Sequence, residues 1–88
     1  MLTPDLRAAL TEAVDAGFDA QIALTADLVR FPSTRGAEAT AQDFMADQMR
    51  RRGLSVDRFL VDLDEIRHLP GFSPVAVSYD NAWNVVGT

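Results

Sequence analysis

Cysteine is absent from the 88 residues, and so is lysine. Without cysteine there can be no disulfide framework and no thiolate metal site, and the lack fits a reducing compartment. All eight basic residues are arginine, which reads as GC-rich coding bias rather than as function. No apolar run approaches the roughly 18 residues of a membrane-spanning helix. The opening MLTPDLRAAL has neither the basic start nor the apolar stretch of a secretory signal. These absences set the expectation of a soluble, cytoplasmic protein.

Positive charge is also scarce. Thirteen acidic residues against eight arginines give a net charge of −5 and a pI near 4.5. An acidic chain is a poor ligand for phosphate backbones or anionic lipid, so neither nucleic acid nor a membrane is expected as a partner. The apolar share of 48% and charged share of 24% are those of an ordinary globular protein. A chain this short hides only about 60–65% of its unfolded surface, so one small domain with a thin core is expected.

The first element expected is one long helix. Thr3 caps it, Pro4 takes the first helical position, and Asp5 faces the positive end of the helix dipole. Leu6, Leu10, Val14, Phe18, Ile22, Thr25 and Leu28/Val29 recur at helical period as one apolar stripe, with Glu12, Asp15, Asp19 and Asp27 on the wet side. Gly17 interrupts it at a cost of about 1 kcal/mol against alanine, as a close-approach point or a bend. Phe31-Pro32 ends it, because a residue before proline is driven out of the helical region.

After the loop PSTRGAEAT a second helix starts near Ala37-Glu38, with Ala41, Phe44, Met45 and Gln48/Met49 facing inward. Arg50, Arg51 and Arg52 complement its C-terminus, Gly53 supplies a left-handed stop, and Leu54 folds back as the apolar contact of that stop. LSVDRFLVD reads as a strand. Asp62 and Glu65 form a capping-box pattern before a short helical turn, LDEIRH. VAVSY is a candidate extended piece, and WNVVGT, with two β-branched residues in a row, a closing strand. The order of elements predicts a mixed α/β layer.

Candidate chemistry is thin. Glu65 and the only histidine, His68, share a helical spacing, with Asp62 and Asp64 close by. Two ligands do not make a zinc site, and the glycine and glutamate of a calcium loop are missing. The carboxylate sets Glu12/Asp15, Asp43/Asp47 and Asp62/Asp64/Glu65 lie on faces that read as solvated, whereas acid–base catalysis needs a desolvated carboxyl group. Ser33, Thr34, Ser55 and Ser78 lack a nucleophile elbow and a neighbouring histidine. Gly36, Gly53, Gly71 and Gly87 stand singly, so there is no phosphate-cradling loop. Trp83, Phe72, Phe59 and Phe44 read as core or docking residues. The residues alone describe a scaffold, with no catalytic, cofactor-binding or metal position assigned.

The order of features nevertheless resembles the amino-terminal stretch of the acetylornithine deacetylase and succinyl-diaminopimelate desuccinylase family of zinc metallohydrolases. The likeness rests on Leu28, Val29, Pro32, Ser33, Gly36, Glu38 and Gly53, followed by the Asn84-Val85-Val86 strand. It covers nearly the whole chain. It implies two N-terminal helices and the first strands of a three-layer α/β catalytic domain, cut short before the family's Gly-His-x-Asp, the first ligands of its two-zinc (or cobalt) site. The parent would be a homodimeric deacylase splitting the amide of N-acyl amino acids, with a metal-activated water and a glutamate base. On that view, residues 1–88 are framework from a truncated gene or a shortened polypeptide. Alone they would leave a strand edge and part of the first helix uncovered, and would be molten or aggregating without a partner. The rival expectation is a freestanding interaction module or decayed paralogue without catalysis.

Overall fold

The computed structural model describes all of residues 1–88, in the order α1 (Pro4–Ala16), α2 (Phe18–Val29), α3 (Ala39–Arg51), β1 (Val56–Phe59), α4 (Leu63–Ile66) and β2 (Asn84–Gly87). The chain is mixed α and β: four helices and a two-stranded antiparallel sheet. No helix is long and apolar enough to cross a membrane. The chain divides into two compact units, Met1–Arg30 and Phe31–Thr88.

In the first unit the Thr3 hydroxyl accepts from the Leu6 N–H at 3.2 Å, and Pro4 opens α1. The expected single helix is broken. Gly17, at φ −88° and ψ 1°, separates α1 from α2. Its ψ falls well short of the helical value near −42°, a departure that costs glycine little. The break is shallow, because Gly17 N–H still reaches the Ala13 carbonyl (3.1 Å) and Gln21 N–H the Gly17 carbonyl (3.0 Å). No residue of α1 or α2 is buried, and Leu6, Leu10, Val14, Phe18 and Ile22 all remain exposed.

The second unit is organised around α3. Its C-terminus forms a complete left-handed stop: Gly53, at φ +81°, donates to the Arg50 carbonyl (2.9 Å), and Leu54 N–H reaches back to the Met49 carbonyl (3.1 Å). These are the two hydrogen bonds of the Schellman motif, and they satisfy carbonyls that a helix end leaves unpaired. The turn aims the chain straight into β1. Strand β1 pairs with β2 in the register Val56↔Gly87, Asp57↔Val86, Arg58↔Val85 and Phe59↔Asn84. Reciprocal bonds between Ser55 and Thr88, at 2.8 and 2.9 Å, lengthen the ladder by one rung.

Helix α3 lies against this sheet. At the contact a Cβ on Gly87 would come within 3.0 Å of both Leu54 Cδ1 and Met49 Sδ, so the glycine lets the helix and its returning leucine approach. The only buried side chains of the chain are Ala41 and Ala46 of α3. Of the expected inward face, Phe44, Met45 and Met49 are half-buried. Phe44 packs its ring against Phe31, with centroids 5.0 Å apart, a pairing worth about 0.5–1.5 kcal/mol beyond its area.

Two expectations about strands need correction. LSVDRFLVD contracts to Val56–Phe59, and Val75–Tyr79 forms no strand. There Pro74 removes a donor, the Ser78 hydroxyl accepts from Asp80 N–H (3.2 Å), and Ala82 N–H bonds the Tyr79 carbonyl (3.2 Å). These local bonds bend the segment instead of offering it to a ladder.

Candidate functional site

The second unit carries an open cleft of about 810 Å³. Its walls are the Arg35–Glu38 loop, Gln42 of α3, the irregular Ser73–Tyr79 segment and Trp83-Asn84 at the start of β2. The loop is a built device. Gly36, at φ +86°, donates its N–H to both carboxylate oxygens of Glu38, at 3.1 and 3.0 Å, and packs beside Val77. A charge-assisted bond of this kind fixes the loop just ahead of α3. The Glu38 carboxylate is thereby occupied in holding backbone.

Beside the cleft, Arg58 ties β1 to α3 and to Trp83, the residue before β2. Its guanidinium pairs with Asp43 of α3 at 2.9 Å and lies 3.9 Å over the Trp83 ring. The planar cation can stack and pair at once, which a lysine could not do equally well. Sequence reasoning took Asp43 for a solvated carboxylate and missed this bridge. The partners lie 15 and 25 positions from Arg58 in sequence, so no local periodicity signals them.

The sequence-derived candidates are not brought together. Helix α4 ends at Ile66, with Arg67 as its cap, so His68 lies beyond the helix rather than on a shared face with Glu65. The Asp62 carboxylate accepts from Asp64 N–H (2.9 Å) and Asp64 pairs with Arg67 (3.2 Å). The anticipated capping box is thus half made, by Asp62 alone. Asp47 pairs with Arg51 at 2.9 Å, and Arg52 donates to the Gln48 carbonyl and side-chain oxygens. Glu12 and Asp15 stay exposed on α1. Ser33, Thr34, Ser55 and Ser78 are exposed, and His68 is not among the residues of the cleft that Ser78 lines.

A two-zinc centre needs several carboxylates and imidazoles converging at about 2.0–2.2 Å from the ions. No group of three or more histidine, cysteine, aspartate or glutamate side chains converges in this chain. Residues 1–88 therefore do not fit such a centre. The cleft offers Arg35, two side-chain amides (Gln42 and Asn84), the hydroxyls of Ser73, Ser78 and Tyr79, and an aromatic wall at Trp83. That set can hold a polar segment, but it contains no nucleophile–base pair. No protein-family model, curated protein or solved structure matches the chain.

Proposed function

We propose that residues 1–88 are the framework of a metal-dependent amidohydrolase catalytic domain of the acetylornithine deacetylase and succinyl-diaminopimelate desuccinylase type. The domain acts on N-acyl amino acids, and its metal ligands and general base come from segments outside these residues. The observation that carries this reading is what the positions of the resemblance do. Gly36 and Gly53 hold left-handed backbone, Glu38 ties down the Gly36 N–H, and Asn84–Gly87 forms the strand that pairs with β1. The shared pattern is thus one of backbone-setting residues, as a framework requires.

The thin second unit supports the same reading. A two-stranded sheet is marginal by itself, and burial of two alanines adds little. Further strands on the sheet edges would complete the layer that α3 covers on one side. The role of this chain is then to fix the strand that leads toward the ligand-bearing segment.

The test is the reading frame past Thr88. A Gly-His-x-Asp motif within a few dozen codons is the expected result, and a frame that continues without it overturns the proposal. A non-catalytic interaction module is the second reading, favoured by the uncovered apolar stripe of α1 and α2.

A further inference from the structure

The open cleft of the second unit has the size of a small-molecule site, about 810 Å³ against the roughly 300–1,000 Å³ such sites occupy. The Arg35–Glu38 loop meets the irregular Ser73–Tyr79 segment where Gly36, at φ +86°, packs beside Val77. That contact and the Glu38 clamp on the Gly36 N–H hold the two walls in place. Much of the lining is apolar, with Val75, Val77 and Trp83 among it.

The polar groups of the lining have donors to spare. Elsewhere Arg30, Arg51, Arg58 and Arg67 pair with aspartates, and Arg52 donates to Gln48. Arg35 is the only arginine of the cleft, and its guanidinium meets no acceptor within the chain. The half-buried Gln42 amide and Tyr79 hydroxyl also lack a hydrogen-bond partner in the chain. Glu38 is the one carboxylate of the lining, and both of its oxygens are taken by the Gly36 N–H.

We propose that the cleft binds a small monocarboxylate with an apolar body, held by Arg35. The guanidinium fork matches the two oxygens of a carboxylate. Gln42 and Tyr79 supply further donors in the same lining, and the apolar body rests on Val75, Val77 and the Trp83 ring. A cation would meet the like charge of Arg35, and a hydrocarbon would leave the guanidinium without an acceptor. The charge of Glu38 tempers the attraction, so the site is weak, with a dissociation constant on the order of 1 mM for a ligand of benzoate's size. Neither a metal nor a hydrolytic step is involved, so the site stands apart from the amidohydrolase reading. A free acid and the C-terminal carboxylate of a peptide share this chemistry.

Titration of the full 88-residue chain with sodium benzoate, followed by amide NMR, is the test. Saturable shifts at Arg35, Gln42, Tyr79 and Trp83 are expected. Benzamide keeps the ring and loses the charge, and should bind roughly tenfold more weakly or worse. Arg35→Gln should weaken benzoate by a similar factor and leave the rest of the spectrum unchanged, since this side chain is exposed and holds nothing in place. Arg50→Gln removes an exposed arginine outside the cleft and should leave binding unaltered. A short peptide ending in valine separates the two sources: if it binds more tightly than benzoate, and only with its C-terminus free, the site takes a chain end, and otherwise a free acid. No saturable shift, equal binding of benzamide and benzoate, or equal losses from Arg35→Gln and Arg50→Gln would each overturn the proposal.

Discussion

Along Met1–Arg30 every hydrogen bond and ion pair is local: Thr3 with Leu6, Thr11 with Arg7, Thr25 with Gln21, and Arg30 with Asp27. Along Phe31–Thr88 the decisive contacts join residues far apart in sequence, among them Ser55 with Thr88, Arg58 with Asp43 and Trp83, and Gly87 with Met49 and Leu54. The first unit is thus two successive helices with no buried residue, held by short-range hydrogen bonds and ion pairs. The second is a small tertiary structure that depends on a few close approaches. Similar residues do different work in the two settings, and substitutions can separate them.

The largest contrast is expected from one change made twice. Ala46 is 1% exposed, so Ala46→Asp forces a carboxylate into the α3–sheet contact, and a loss of about 3 kcal/mol or more should unfold the second unit. Ala9→Asp on exposed α1 should cost only about 0.5 kcal/mol, the difference in helix propensity. Chemical denaturation followed by tryptophan fluorescence and far-ultraviolet dichroism checks both, since Trp83 reports on the second unit alone.

Next comes Gly87→Val. Its Cβ would press on Met49 and Leu54, and overpacking of this kind costs about 1–3 kcal/mol. Gly87→Ala should be milder, because both neighbours are flexible side-chain ends.

The two helix-end glycines should then respond with opposite signs. Gly53→Ala places a Cβ at φ +81° and should destabilise by about 1–2 kcal/mol. Gly17→Ala, at φ −88°, should stabilise the first unit by up to about 1 kcal/mol, read as increased ellipticity at about 222 nm, the helical band. Equal effects at both sites would remove the distinction between them.

The smallest effect belongs to the partly exposed pair Arg58–Asp43, whose side chains are 35% and 57% exposed. A double-mutant cycle with both replaced by alanine should give a coupling of about 0.2–1 kcal/mol, falling with added salt.

The sequence made the first unit almost fully legible. Thr3, Pro4 and the four-residue recurrence of apolar side chains are local signals for a local structure, and only the break at Gly17 needed coordinates to choose between its two readings. In the second unit the Gly53 stop was equally readable, and the turn at Asp62 in part, since its capping box is half made and its helix ends at Ile66. The pairing of β2 with β1 and the bridge through Arg58 were not, because they depend on register between segments far apart in the chain. Val75–Tyr79 misled by composition: its valines and tyrosine suit a strand, but Pro74 and the Ser78 turn leave the backbone no ladder to join. The cleft was missed for the same reason as the bridge, since its walls come from separated stretches. The Glu38 clamp had a signal, Gly-x-Glu before a helix, whose meaning became plain only with both carboxylate oxygens on one N–H.

The reading proposed above gives residues 1–88 the task of positioning backbone, with the hydrolytic groups supplied by other segments. The most direct test is hydrolysis of an N-acetyl amino acid by the purified 88-residue chain in the presence of zinc, with and without a chelator. No turnover above the buffer rate is predicted in either case. Hydrolysis that the chelator abolishes would contradict it.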